Sequence, residues 1–154
     1  MQIDAMTGAD ENLVLHSWVR SWKKSWFLRH TPAGRSAPMS DDDVAALGVS
    51  RRDSILARPT TRVLVSRDEA SPLFIYGWGC FERVNDTFAV HFIFVKTHFR
   101  HSGHARALLS AGRDQCGQGT TRSVATHRTY VDELAKDLGF EFIPPERLYR
   151  QEAA

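Results

Sequence analysis

The sequence predicts an α/β domain in the order ααβββαβαβ, and three observations carry that prediction. An N-terminal segment repeats tryptophan at helical spacing. Three β-rich segments then follow one another with only short turns between them. The last of these runs through a glycine-containing turn into a further helix.

In chain order, Asn12 to Trp26 reads as a helix, because Leu15, Trp18, Trp22 and Trp26 recur every three or four residues while Arg20, Lys23 and Lys24 fall mostly on other faces. Packing of that stripe on a sheet explains it, and stacking of tryptophans and cations on a nucleic acid strand is the alternative. Leu28 to Met39 contains Pro32, Gly34 and Pro38 and reads as a loop. Ser40 before Asp41, Asp42 and Asp43 marks the start of a second helical region, interrupted near Gly48 and closed by Pro59. Strands follow at Thr61 to Ser66 and Leu73 to Glu82, and Asn85-Asp86 turns the chain into a long strand, Thr87 to Lys96. Beyond the motif helix, Ala105 to about Cys116, come a short strand at Ser123 to Thr126, a helix at Tyr130 to Leu138 ended by Gly139, and a strand at Phe140 to Ile143. Leu148 to Arg150 is expected to pair as a final edge.

A length of 154 residues suits one domain with one substantial core, here taken as residues 1–154. Apolar and charged fractions of 42% and 25% exclude disorder and membrane spanning, and no stretch approaches transmembrane length. The net charge of +2, with no dense Lys/Arg block, argues against a protein dominated by phosphate-backbone contacts. Met1 to Glu11 is mixed polar and acidic, unlike a signal peptide. Cys80 and Cys116 have neither metal-ligand nor redox spacing, read as small buried residues, and suit a reducing cytoplasm.

Residues 93–109, Ile-Phe-Val-Lys-Thr-His-Phe-Arg-His-Ser-Gly-His-Ala-Arg-Ala-Leu-Leu, carry the chemistry. At a helix start the first amide N–H groups lack intrahelical partners and sit at the positive end of the macrodipole, so they bind phosphate oxygens when no bulky side chain blocks the approach. Gly103 and Ala105 clear that approach. The stretch resembles the signature of the GNAT superfamily of acyl-CoA N-acyltransferases, Gln/Arg-x-x-Gly-x-Gly/Ala between the fourth strand and third helix. Arg100, Gly103 and Ala105 match it in order. His101 and Ser102 fill the turn where a second small residue is common, and Thr97 stands where Pro is common. Gly139-Phe140 matches the Leu-Gly-Phe that ends the family's last helix. Ser17-Trp18-Val19-Arg20-Ser21, Tyr76-Gly77-Trp78 and His91-Phe92-Ile93-Phe94-Val95-Lys96 further resemble GNAT-like proteins of tailed bacteriophages, which would place the chain in a host cytoplasm.

The resemblance implies a mixed, mostly antiparallel sheet with helices on both faces and a splay between the fourth and fifth strands, the N-terminal strand being short or missing. It implies acetyl-CoA as co-substrate and direct transfer to an amine of a protein, small molecule or nucleobase, with no membrane partner and a homodimer allowed. Backbone groups of Phe94 and Val95 would pair with pantetheine, and the amides of Arg100, His101, Ser102, Gly103, His104, Ala105 and Arg106 would hold the pyrophosphate. An arginine side chain at 100 or 106 would add charge-assisted bonds.

Acyl transfer needs a proton acceptor for the amine and a donor for the thiolate. Strand alternation puts His91 on one face with Ala89, Ile93 and Val95, and an imidazole there could take a proton directly or through water, or be a hydrogen-bonded core residue. His127 and Glu82 are alternatives. The family's usual acid, a Tyr four residues before the terminal Gly, is replaced by Ala135, leaving Tyr130 or Tyr149 to substitute. His98, His101 and His104 straddle a strand–turn–helix junction, so no metal site is expected. Two other functions fit the same resemblance: a non-catalytic binding module that grips a host protein, and a DNA-modifying enzyme.

Overall fold

A computed structural model describes residues 1–23, 40–127 and 138–152. The loop expected at 28–39, Trp26, the side chain of Trp22 and, of the helix expected at Tyr130 to Leu138, residues 130–137 with Tyr130 and Ala135 lie outside the described residues, while Leu138 is in a turn.

Among the described residues the backbone forms one six-stranded sheet whose strands lie in chain order, β1 (Gln2–Ala5), β2 (Thr61–Arg67), β3 (Ile75–Val84), β4 (Thr87–Val95), β5 (Arg122–Ala125) and β6 (Glu141–Phe142). The first four pair antiparallel, while β4–β5 and β5–β6 pair parallel. The N-terminal strand, expected to be short or missing, is present as a four-residue edge. Between β1 and β2 come α1 (Glu11–Lys23) and α2 (Asp41–Leu56); α3 (His104–Cys116) follows β4, and α4 (Pro145–Glu152) ends the described chain.

Alternation along the strands sorts the core into two layers. Val65, Trp78, Cys80 and Phe92 face α1 and α2, where Val14, Trp18, Val44 and Ile55 cover them. Leu64, Phe81, Phe88 and Val90 face Leu108 and Cys116 of α3. Trp18 is fully buried, with ring centroids 5.3 Å from Trp78 and 5.5 Å from Phe92. It is therefore core, and no stacking platform for a nucleic acid. On the other layer, a Cβ on Gly79 or Gly112 would come within 2.5 Å of the Phe81 ring, so both glycines are space for that ring.

Three expectations are corrected. Helix α2 is continuous through Gly48, which is buried within it, and Ser40 caps its start by accepting from the Asp43 amide. Leu148 to Arg150 forms no strand but lies in α4, which begins at Pro145, where a missing N–H costs nothing, with Glu146 in its first turn. The third concerns β4 itself. Cys80 pairs with Phe92 and Phe81 with Val90, so His91 is an extra residue, a β-bulge. The bulge resets alternation, so His91 does not share a face with Ile93. Ile93 packs toward α3, while His91 turns to the opposite side with Glu82 and Tyr149.

Candidate active site

Strand β4 carries two constellations, one at its bulge and one beyond its end. The β4–β5 ladder stops at Val90–Ala125, with the Thr126 amide donating to the Val90 carbonyl at 3.0 Å. From His91 to Val95, β4 has no strand on that side among the described residues. This parting of two parallel strands is the splay that the resemblance implied. The Lys96 amide donates to the Tyr76 carbonyl on β3, so by alternation Phe94 also faces β3, and Ile93 and Val95 present their backbone groups to the gap. Of the expected pair, only Val95 is suitably turned, and its carbonyl accepts Arg100 Nε at 3.3 Å.

At the bulge, the carboxylate of Glu82, fully buried on β3, collects four donors. Oε1 accepts from Arg58 Nε and the Thr60 hydroxyl; Oε2 accepts from Tyr149 Oη at 2.9 Å and His91 Nε2 at 3.0 Å. Burial pushes its pKa up, but the bonds from His91, Arg58 and Thr60 outweigh that and hold it to about 2. The other ring nitrogen of His91, Nδ1, lies 2.9 Å from Thr126 Oγ1. Arg58 continues the network to Glu152 at 2.6 Å and lies 4.1 Å from the Tyr149 ring centroid. Burial, and then Glu82, raise the Tyr149 pKa strongly. With its proton given to a carboxylate and its pKa raised, Tyr149 is a poor substitute acid.

His127 is brought near the same layer without joining the network. Its ring lies 5.0 Å from that of Phe92, and burial, with the charge of Arg51, pushes its pKa down to about 3. An imidazole that weakly basic is no general base at neutral pH.

Beyond Val95 a 3₁₀ turn, Thr97–Phe99, leads into the signature. His101 and Gly103 both adopt positive φ, +65° and +84°, and Gly103 is the N-cap of α3 with no side-chain cap. Arg100 to Gly103 and Arg106 are exposed, and Ala105 is half-buried. A Cβ on Gly103 would meet nothing within 4 Å, so the position demands glycine for its left-handed backbone, not for room inside the protein. His104, expected among the phosphate ligands, turns its ring inward: Nδ1 is 3.0 Å from Ser66 Oγ, the ring stacks 4.5 Å from Tyr76, and burial lowers its pKa. Only its backbone amide is left for an anion. Inward His104, Leu108, Gly112 and Cys116 recur every four residues and fix the helix with its N-terminus at the mouth of the gap. Among the described residues no group of three or more His, Cys, Asp or Glu is placed to hold a metal.

No protein-family profile and no curated protein sequence matches the chain. Solved structures do. An acetyltransferase of the GNAT family from Staphylococcus aureus Mu50 superposes with a TM-score of 0.56 at 14% identity, over 90% of this chain and 78% of that one. The fold is that of the GNAT acetyltransferases. A ribosomal-protein-alanine N-acetyltransferase from Brucella melitensis biovar Abortus 2308 gives 0.54 at 17% identity over 90% and 91%. AAC(6')-Iy, solved with the bisubstrate analogue CoA-S-monomethyl-acetylneamine, gives 0.51 at 18% identity over 91% and 90%.

The signature turn was legible because it is local. Arg58, Thr60 and Thr126 were not, since each is an ordinary polar residue at an element's edge. The one sequence signal for the buried network was Glu82 within an apolar strand, opposite a histidine within another.

Proposed function

We propose that the protein is an acyl-CoA-dependent N-acyltransferase that moves an acetyl group from acetyl-CoA to a neutral amine. One observation carries the reading: a gap between parallel β4 and β5 opens at one end on uncapped amides of α3 and borders, at the other, a histidine held by a buried carboxylate. The pyrophosphate lies on the amides from His101 to Arg106, with Arg100 released from the Val95 carbonyl to meet it, and the thioester reaches into the gap past Val95. His91, kept in place by Glu82, is the ultimate proton acceptor. A neighbour of the same fold, AAC(6')-Iy, was solved with a CoA bisubstrate analogue, which supports acyl-CoA as the ligand. The buried, free Cys80 and Cys116 suit a reducing cytoplasm, that of a host if the gene belongs to a phage. No helix among the described residues is long and apolar enough to cross a membrane.

Calorimetric titration with acetyl-CoA, together with thiol release in the presence of primary amines, tests this. Saturable binding with amine-dependent release is expected. Binding without release would turn the reading to a non-catalytic acyl-CoA module, and no binding would end it.

A further inference from the structure

His91 cannot itself touch the amine. Both of its ring nitrogens are engaged, Nε2 with Glu82 and Nδ1 with Thr126, so neither is open to a substrate. A carboxylate gripped by Arg58, Thr60 and Tyr149 is ionised and can only accept, so the hydrogen between it and His91 resides on Nε2. In the neutral ring Nδ1 is then an acceptor, and the Thr126 hydroxyl donates to it. Thr126 is buried too, 4% exposed against 1% for His91, but its Oγ1 keeps lone pairs that no other described group takes up, and these are the outlet of the chain Glu82–His91–Thr126. Thr126 also stands where the β4–β5 ladder ends, at the closed apex of the gap.

We propose that Thr126 is the catalytic residue that contacts the acceptor amine and relays its proton to His91. The inference rests on the acyl-transfer reading above. The amine nitrogen attacks the thioester carbonyl carbon, the N–C bond forms and the C–S bond breaks, the electron pair leaving with CoA thiolate. One N–H proton passes to Thr126 Oγ1 as the threonine's own proton passes to His91 Nδ1. The imidazolium so formed is stabilised by the adjacent Glu82 carboxylate. The acceptor must arrive as a neutral primary amine, because an ammonium has no pair with which to attack.

The test uses the full chain, acetyl-CoA, thiol detection and three amines of increasing size: ethanolamine, neamine and poly-lysine. Thr126→Val, which keeps the shape and removes the hydroxyl, is expected to lower kcat roughly 10²-fold or more, the usual worth of a positioned proton acceptor. Acetyl-CoA affinity by calorimetry and the KM for acetyl-CoA should stay within about twofold, and Thr126→Ser should recover most of kcat. Should the Val variant fail to fold, Thr126→Ala takes its place with the same expectations. A hydroxyl-free variant as fast as the parent, or a Ser variant as slow as the Val one, overturns the relay while leaving acyl transfer standing. A parent that binds acetyl-CoA but acetylates none of the amines overturns both.

Discussion

The middle of β4 and the turn beyond its end solve opposite problems. At the bulge, a carboxylate with no exposure is held by residues from the α2–β2 connection, β4 and α4, and its charge is compensated on every side. At the turn, exposed residues with two left-handed backbones leave a helix N-terminus uncapped. A buried charge is stable only when its partners are all present, so the first region is stiff and intolerant. A helix start in water needs no partner, so the second can wait for a ligand. The buried carboxylate has all its bonds within the protein, whereas the first amides of α3 have no side-chain cap.

The contrast breaks most sharply at Glu82. Glu82→Gln removes the charge, leaves His91 without its anion and Arg58 with only Glu152, and should destabilise the fold by about 3–5 kcal/mol in urea denaturation. The native carboxyl, held to about 2 against a usual 4.5, gives stability that is complete above pH 4.5 and is lost as pH falls toward 2. The Gln variant should lack that window. If the variant melts like the parent, the network is not the tight cluster that the distances describe.

How much of this was visible in the sequence follows the same division. The turn at Arg100, Gly103 and Ala105 is legible because a strand–turn–helix junction is made of consecutive residues. Helix α1, with Trp18 in the core, and the strands β2, β3 and β4 are legible for the same reason, local periodicity. His91 was picked out, but its face was misassigned, since a bulge is a mismatch between two strands and no single strand shows it. Thr126 and Arg58 gain a role only because the fold brings residues 35 and 24 positions apart onto Glu82 and its histidine. Leu148 to Arg150 reads as a short strand by itself, but Pro145 starts a helix that takes it in.

His127 sharpens the comparison from within the buried layer. Its pKa falls from the usual 6.5 to about 3, so at intermediate pH the unfolded chain binds a proton that the folded one refuses. Stability should therefore be complete above pH 6.5 and fall by roughly 1.4 kcal/mol per pH unit down to about pH 3. His127→Phe, which keeps an aromatic ring beside Phe92, should flatten that slope while leaving the Glu82 window at lower pH intact. Thermal melts of both proteins between pH 7 and pH 3 read the difference. Parallel curves would mean that another group carries the acid sensitivity.

The smallest effect on stability belongs to Gly103. A Cβ there meets no neighbour, so the cost of Gly103→Ala is only that of holding an L-residue at φ +84°, about 1–2 kcal/mol. Its effect on binding should be far larger than its effect on folding, because relief of that strain rotates the peptide planes whose N–H groups must converge on one pyrophosphate. Calorimetry should show acetyl-CoA affinity reduced at least tenfold in a variant whose melting temperature drops by only a few degrees, with Gly103→Val weaker still. The reverse pattern, lost stability with parental affinity, would make the turn a structural joint and move the anion site elsewhere on the sheet edge. Gly8 supplies the control: exposed and with nothing within 4 Å of an added Cβ, it lacks the positive φ, and Gly8→Ala should change neither quantity.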